Sequence, residues 1–269
     1  YPEMFDLADM ALKRGTANGS KNIYFYDQLI QKSIEKEMMI ESRMEEALIK
    51  KEFLMYLQPK YDTITEQIVG AEALVRWQTP EELLFPDSFI PIFERNGFIS
   101  KLDMYMLEQV CILQRRRLND NKRAVPISVN QSRLLLYNPS YVDTLIDLVD
   151  RYEIPHYLIE LEITETVVFE DKMVAIKTFK QLLDRGFKIS MDDFGSGYSS
   201  LNMLKDIDVN IIKIDRAFLE DFMNSERGKK VMFSILGLIR ELNLISVAEG
   251  VETKEQLDFL KEAGCHWVQ

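Results

Sequence analysis

Apolar and polar residues follow two different rhythms along this chain. From residue 53 onward, short apolar and β-branched runs recur, and longer segments with helical spacing separate most of them. The runs predicted as strands are residues 53–57, 69–77, 125–129, 158–163, 187–191, 209–214, 245–248 and 266–269. Helical spacing is clearest at residues 141–151, 173–185, 230–242 and 254–263. Eight strands alternating with helices predict an α/β fold of the (β/α)8 TIM-like barrel type.

Glycines mark the predicted ends of two of these helices. Gly186 follows Arg185 and Gly264 follows Ala263, and glycine is the residue that most often stops a helix. The alternative to a barrel is a doubly wound open sheet. That alternative is disfavoured because no glycine-rich phosphate turn follows the first predicted strand.

A charged segment at residues 28–51 precedes the barrel and is predicted to be a helix. Its apolar positions recur at spacings of four, which predicts one apolar face. These positions are Ile30, Ile34, Met38, Met44 and Leu48. We interpret the segment as a linker helix packed on its neighbour, and a helix that transmits a signal is the alternative. The domain that carries the chemistry is then expected at residues 52–269.

The composition narrows the class of protein. A chain of 269 residues with 46% hydrophobic residues suits one large globular domain plus a smaller piece. The net charge of −11 argues against broad nucleic-acid binding, so no DNA or RNA duplex is expected as a partner. Two cysteines are too few for a disulfide framework and indicate a reducing compartment. Two histidines exclude a zinc site built on several imidazoles.

The sequence also carries information on location. No apolar run reaches the length of about 18 residues that a membrane-spanning helix needs, so no membrane contact is expected from this chain. The first residues show no signal-peptide pattern and are interpreted as a cut inside a longer protein. We therefore expect a cytoplasmic location, although a parent protein with an upstream anchor fits the same pattern.

Polar residues are concentrated at the ends of the predicted strands. In a parallel barrel the carboxyl ends of the strands converge on one mouth, where catalytic groups lie. Burying many carboxylates together is costly without compensation, and bound divalent cations supply that compensation. Carboxylate and amide oxygens suit Mg²⁺ or Mn²⁺. The residues are Glu72, Asn130, Glu162, Glu165, Asp192, Asp193, Lys213, Asp215, Glu249, Glu252 and Gln269.

Six motifs have a specific order along the chain. They are Tyr56-Leu-Gln-Pro59, Glu72-Ala-Leu-Val-Arg76, Phe89-Ile-Pro91, Asp192-Asp-Phe-Gly-Ser-Gly-Tyr-Ser-Ser-Leu201, Lys213-Ile-Asp215 and Ala248-Glu-Gly-Val-Glu-Thr253. Together they resemble the EAL domain family of cyclic-di-GMP-specific phosphodiesterases, over residues from about 45 to 269. The resemblance implies hydrolysis of cyclic-di-GMP to linear pGpG in bacterial second-messenger signalling.

The resemblance also implies a two-metal hydrolysis with two Mg²⁺ or Mn²⁺ ions in each active site. Glu72, Asn130, Glu162 and Asp192 would bind one cation. Asp192 would bridge to the second cation, with Asp193 and Glu249 beside it.

Further roles follow from the same resemblance. Lys213 would be the base or the group that orients water, with Glu249 and Gln269 as further catalytic residues. Arg76 would clamp a phosphate of the substrate, and Gln58 and Asp215 are expected to bind substrate. Glu165 and Glu252 would support the site, Glu165 by steadying the loop at residues 194–200. That loop is also the expected homodimer interface.

Three features of the chain outside the six motifs change what is expected of it. Residues 1–27 resemble the C-terminal tail of a GGDEF domain, whose own signature is absent, so a complete cyclase is excluded. The stretch at residues 80–86 is one residue shorter than in the family and lacks its glycine, so a different substrate affinity is expected. The chain stops at Gln269, where the family continues, and a true truncation there is expected to leave the barrel unclosed.

Three other functions compete with this hypothesis. The first is a receptor that binds cyclic-di-GMP without cutting it, which would commonly lack metal ligands or the lysine. The second is a scaffold that acts through the helix at residues 28–51. The third is an unrelated barrel enzyme, such as an enolase-type lyase, which also pairs acids with a lysine.

Overall fold

A computed structural model of the protein describes residues 28–165, 172–195 and 204–269. The described residues divide into two compact units, the smaller formed by residues 28–53 with 77–96 and the larger by the described residues of 54–76 with 97–269. The predicted GGDEF remnant at residues 1–27, and residues 196–200 of the predicted loop, lie outside the described residues.

The described strands and helices follow the predicted alternation. The strands are β1 (Phe53–Asp62), β2 (Ile68–Gln78), β3 (Leu83–Leu84), β4 (Ile127–Asn130), β5 (Ile159–Thr164), β6 (Lys188–Phe194), β7 (Ile211–Ile214), β8 (Ile245–Ala248) and β9 (Trp267–Val268). The helices are α1 (Gln28–Ile49), α2 (Ile90–Asn96), α3 (Ile99–Asn119), α4 (Arg133–Leu136), α5 (Tyr141–Arg151), α6 (Lys172–Asp184), α7 (Arg216–Met223), α8 (Glu226–Glu241) and α9 (Lys254–Glu262). Gly186 and Gly264 have φ of +91° and +79°, as expected for glycines that end helices.

The smaller unit is organised around an aromatic cluster. Phe53 and Trp77 have ring centroids 5.0 Å apart, and Phe89 and Phe93 complete the cluster within 6.0 Å. The Trp77 indole donates a hydrogen bond of 3.0 Å to Glu52, so the buried ring keeps its polar group satisfied. The short strand β3, which the sequence analysis did not predict, pairs antiparallel with the end of β2 in this unit.

The apolar face of α1 differs from the predicted one. Met38 is 58% exposed, whereas Ile40 and Ala47 are buried. A spacing of four residues advances about 40° too far around a helix of 3.6 residues per turn at each step. A run of such steps therefore leaves the buried face, and the prediction that placed Met38 on it was wrong.

The larger unit is a TIM-like barrel, as predicted. Among its described residues, eight strands follow one another in the order β1-β9-β8-β7-β6-β5-β4-β2, and the pairing of β1 with β2 closes the circle. The expectation that a chain ending at Gln269 leaves the barrel unclosed was wrong, because the two residues of β9 pair with both β8 and β1.

One strand runs against the others. β1 is antiparallel to β9, so the barrel is not the uniform parallel (β/α)8 arrangement that the alternation predicted. The reason is the connection from β1 to β2, which consists of residues 63–67 alone. A parallel crossover needs a dozen or more residues, whereas a short turn suffices for a hairpin.

The parallel strands place the polar residues at one end of the barrel. Apolar residues of β5 such as Ile159, Leu161 and Ile163 are buried, and Glu160 and Glu162 alternate with them on the other face. The register aligns Asn130 of β4 with Glu162 of β5. Among the described helices, none is long and apolar enough to cross a membrane.

Candidate active site

Lys213 is the centre of a buried cluster of carboxylates at the ends of the barrel strands. Its side chain is 1% exposed, and its Nζ lies 3.1 Å from Glu72 Oε2, 3.2 Å from Asp192 Oδ1 and 2.6 Å from Glu249 Oε1. It also forms an ion pair with Glu162 Oε1. The five residues come from β2, β5, β6, β7 and the residue after β8. The predicted convergence of Glu72, Glu162, Asp192, Lys213 and Glu249 is therefore present.

Two amide side chains complete this cluster around Glu72. Asn130 Nδ2 donates to Glu72 Oε1 over 3.1 Å, and Gln269 Nε2 donates to Glu72 Oε2 over 2.6 Å. Both residues directly end or follow a strand, as the sequence analysis expected. Asn130 and Gln269 thus hold the Glu72 carboxylate in a defined orientation.

Burial dominates the electrostatics of the cluster. It raises the pKa of Glu162 to about 8, and the neighbouring carboxylates of Glu72 and Asp192 act in the same direction. Burial also raises the pKa of Asp192 and of Glu249 above their ordinary values. Glu72 differs, because Lys213, the hydrogen bond from Gln269 and Lys60 outweigh its burial and lower its pKa.

The charge of Lys213 follows from the same arrangement. Burial alone would lower the pKa of its ammonium, but the four carboxylates around it outweigh burial and raise that pKa well above the ordinary value. Lys213 is therefore a firmly charged ammonium in this arrangement. The family resemblance implies that Lys213 acts as a base. For that role, cations bound by these carboxylates would have to cancel their negative charge and so lower the pKa of the ammonium.

Asp193 lies beside the cluster in a left-handed backbone conformation. Its φ is +56°, which aspartate and asparagine adopt more readily than most residues other than glycine. The register between β6 and β7 shifts between Met191 and Phe194, which is the bulge that turns Asp193 aside. Burial and then the charge of Asp215 raise the pKa of the Asp193 carboxyl.

Glu165 supports the backbone that follows β6. Its Oε2 accepts a hydrogen bond of 3.3 Å from the Gly195 N–H, and its side chain is buried. Gly195 has a φ of +102°, and a Cβ there would lie 2.6 Å from the Phe218 ring. Glu165 thus contacts the first residue after β6, and its role in steadying the loop at residues 194–200 stays a prediction, because residues 196–200 lie outside the described residues.

Two of the predicted residues make helix and surface contacts. Asp215 is the N-cap of α7 and accepts hydrogen bonds from the backbone N–H groups of Ala217 and Phe218, at 2.9 and 3.2 Å. Glu252 is exposed and pairs with Arg216 over 2.6 Å. Neither residue contacts Lys213 in the described structure, so their roles stay predictions.

Two of the predicted substrate residues lie on β1 and β2. Arg76 donates to the Val75 carbonyl over 2.7 Å, and its guanidinium lies 5.8 Å from the centre of the Tyr56 ring. Gln58 is exposed on β1. Gln58 is accessible to a ligand and Arg76 is half-buried, and the assignment of both stays a prediction.

A second buried lysine lies beneath the cluster, and the sequence analysis did not identify it. Lys60 on β1 is fully buried, with its Nζ 2.8 Å from Glu160 Oε1 and 3.0 Å from Ser128 Oγ. The signal that points to it is the pair Glu160 and Glu162. Two acids that alternate on the inner face of one strand need more positive charge than Lys213 supplies.

The chemistry of these donors fits divalent cations. One oxygen each of Glu72, Glu162 and Glu249 lies within 4.8 Å of the other two. Two buried oxygens of the cluster, Glu162 Oε2 and Gln269 Oε1, have no hydrogen-bond partner among the described residues. Glu162 Oε2 lies 3.7 Å from the Lys60 ammonium, whereas the oxygen-rich set around Gln269 Oε1 suits a hard cation such as Mg²⁺ or Mn²⁺.

Comparison with known sequences gives one consistent family. The EAL domain family matches residues 41–269. The bifunctional diguanylate cyclase/cyclic di-GMP phosphodiesterase MucR of Pseudomonas aeruginosa is 32% identical over 269 residues, which are 99% of this chain and 39% of MucR. Cyclic di-GMP phosphodiesterase NbdA of the same organism is 33% identical, over 99% of this chain and 34% of NbdA. The chain therefore spans between about a third and two fifths of the length of these relatives.

Comparison with solved structures agrees. The structure described as PaMucR phosphodiesterase in complex with c-di-GMP superimposes with a TM-score of 0.80 at 33% identity. The match covers 86% of this chain and 94% of that one. The described barrel and its sequence are thus similar to the same group of proteins.

Proposed function

This chain belongs to the EAL domain family, and we propose that it hydrolyses cyclic-di-GMP to linear pGpG as a metal-dependent phosphodiesterase. The observation that carries the proposal is the cluster in which Lys213 meets the carboxylates of Glu72, Glu162, Asp192 and Glu249. Relatives named cyclic di-GMP phosphodiesterases, and a similar structure in complex with c-di-GMP, support the choice of substrate.

The proposed cofactor is a pair of Mg²⁺ or Mn²⁺ ions. Glu72, Asn130, Glu162 and Asp192 would hold one ion, and Asp192 and Asp193 with Glu249 nearby would hold the other. Bound there, two divalent cations would lower the pKa of a water molecule and neutralise charge on the attacked phosphate.

The chain's own residues would orient the reactants. Lys213 already lies within hydrogen-bond distance of Glu72, Asp192 and Glu249. With cations bound by these carboxylates, its ammonium would be released to donate a hydrogen bond to the attacking water or to a phosphate oxygen. Gln269, fixed by its bond to Glu72, would orient the same water through its free amide oxygen. Arg76 would clamp a substrate phosphate through two nitrogen donors.

Partner and location follow from the proposed substrate. Cyclic-di-GMP is a bacterial second messenger, so the proposed reaction belongs in the cytoplasm. We also propose a homodimer through the loop at residues 194–200, which the family resemblance implies.

A receptor that binds cyclic-di-GMP without hydrolysis is the second candidate function. It is disfavoured because the chain keeps every predicted metal ligand and the lysine, and the structure brings five of them together. Tight binding of cyclic-di-GMP without product, in both Mg²⁺ and Mn²⁺, would establish the receptor instead.

The decisive experiment compares hydrolysis by the wild-type chain and by Glu72→Ala. We expect wild type to release pGpG in Mg²⁺ or Mn²⁺ and to stop in chelator. We expect Glu72→Ala to lose at least about a hundredfold of that rate, because it removes a proposed cation ligand and the anchor of Asn130 and Gln269.

The matched control is Glu262→Ala, which removes the same charge from the exposed end of α9. We expect it to keep the wild-type rate, and circular dichroism should show that both variants are folded. Turnover by folded Glu72→Ala at the wild-type rate would contradict the proposed cation site.

A further inference from the structure

Lys60 occupies the interior of the barrel on the reversed strand β1. Its side chain is 0% exposed, and its ammonium contacts Glu160 at 2.8 Å and Ser128 at 3.0 Å. A buried ammonium is costly unless it is paired, and Glu160 supplies one pair. Glu160 is not the only acid near Lys60, because Glu162 also lies within ion-pair distance of its ammonium.

The contacts of Lys60 form a layer directly beneath the proposed cation ligands. Gly70, Ser128 and Glu160 each precede by two residues, on β2, β4 and β5, a member of the set Glu72, Asn130 and Glu162. Side chains two residues apart on a strand point to the same side. A Cβ on Gly70 would lie 3.7 Å from Lys60 Cδ, so the lysine stem crosses the strand where no side chain stands.

Glu162 connects the two layers. Its Oε1 pairs with Lys213, and its Oε2 lies 3.7 Å from the Lys60 ammonium. Among the described residues, no group donates a hydrogen bond to Oε2. Each oxygen of the Glu162 carboxylate is therefore paired with a different ammonium, Lys213 for Oε1 and Lys60 for Oε2. A rotation of the carboxylate about its Cγ–Cδ bond would move both oxygens away from these partners.

We propose that Lys60 is a positioning residue for Glu162 and not only the ion-pair partner of Glu160. By holding Oε2 from below, Lys60 keeps Oε1 turned toward Lys213 and the other carboxylates. The inference rests on the proposed function, because it takes Glu162 as a cation ligand. Groups that orient a metal ligand typically change metal affinity 10- to 100-fold when they are removed.

The test is Mn²⁺ binding by the whole chain without substrate, measured by calorimetry and by the electron paramagnetic resonance signal of bound Mn²⁺. The variant is Lys60→Met/Glu160→Gln, which removes one positive and one negative charge together. The net charge near the site is therefore unchanged, and what is lost is the contact with Glu162 Oε2. Glu160→Gln alone is the matched control, because it leaves Lys60 in place.

Wild type and Glu160→Gln are expected to bind Mn²⁺ within about threefold of one another. The double variant is expected to bind at least about tenfold more weakly, with an altered resonance signal. A lysine that serves only Glu160 would give a double variant with nearly wild-type affinity. A loss of less than tenfold would therefore overturn the proposal.

Two further measurements keep the result decisive. If the double variant does not fold, Lys60→Gln/Glu160→Gln replaces it, because two amides can hydrogen-bond across the same gap, and the same tenfold limit applies. Failure of the proposed function is recognised separately. A wild-type chain that binds Mn²⁺ but releases no pGpG would contradict the phosphodiesterase, and the comparison of affinities would still decide the role of Lys60.

Discussion

At the scale of single residues, Asp193 shows how the site depends on a left-handed backbone conformation. Its φ of +56° is tolerated by asparagine but not by a β-branched side chain. We expect Asp193→Asn to unfold in urea at or above the wild-type midpoint, because burial and Asp215 disfavour the charged carboxylate, and we expect Asp193→Val to lose about 1–3 kcal/mol of stability relative to Asp193→Asn. Equal stability of the two variants would show that the left-handed conformation is not maintained in solution.

His266 provides a dependence of stability on pH. Its Nδ1 accepts the Ser246 N–H over 3.1 Å, and burial followed by Arg240 lowers its pKa below 6.5. The unfolded chain therefore takes up the proton more readily, so the contribution is complete above pH about 6.5 and is lost as pH falls toward the folded pKa. We expect His266→Asn, whose Oδ1 also accepts, to lose less free energy of unfolding than wild type between pH 7.5 and 5.5. Equal losses would assign the pH dependence to other groups.

Single residues also show where sequence analysis succeeds and where it stops. Glu72, Glu162 and Lys213 were predictable because parallel strands bring their carboxyl ends to one mouth. Lys60 was not predictable, because it lies on the antiparallel strand β1. The alternation of side chains along the parallel strands does not tell which residues of β1 lie at the same level of the barrel. The left-handed backbone of Asp193 was not predictable either, because the bulge beside it depends on the register in which β6 and β7 pair.

At the scale of elements, the crossing of α7 and α8 depends on a glycine. A Cβ on Gly228 would lie 2.2 Å from the Phe222 carbonyl oxygen, which is backbone and cannot move aside. We expect Gly228→Ala to lose about 1–3 kcal/mol of unfolding free energy. Gly237 on the same helix has nothing within 4 Å of an added Cβ. Gly237→Ala should therefore gain about 0.4–1 kcal/mol, and a loss there would contradict this account.

The elements themselves were largely predictable, with two instructive exceptions. Helix α5 has the predicted bounds of residues 141–151, because its apolar spacing and its ends agree. The direction of β1 was missed because the apolar run predicted as a strand ended at residue 57, which concealed how short the link to β2 is. The buried face of α1 was predicted wrongly, because residues spaced by four stay on one side of a helix for only about two turns.

At the scale of the larger unit, bound cations should stabilise the fold. The cluster gathers four carboxylates around one ammonium, and burial raises the pKa of Glu162, Asp192 and Glu249. A cation at a hundred times its dissociation constant adds about 2.7 kcal/mol of stability. We expect Mn²⁺ to raise the melting temperature of wild type and to leave Glu72→Ala nearly unchanged. A similar shift in both would place the bound Mn²⁺ outside the cluster.

The closure of the barrel has a consequence for how the molecule forms and opens. The seam between β1 and β9 consists of two residue pairs, and Thr63 meets Cys265 across 202 positions of sequence. Closing the chain between such distant segments has a large entropic cost, so we expect the seam to join late in folding. A ladder this short is also the first to fray. Gln269 directly follows β9 and donates a hydrogen bond to Glu72. Each opening of the seam would therefore separate the proposed catalytic glutamine from its carboxylate. The folding step that closes the seam would also assemble this part of the site.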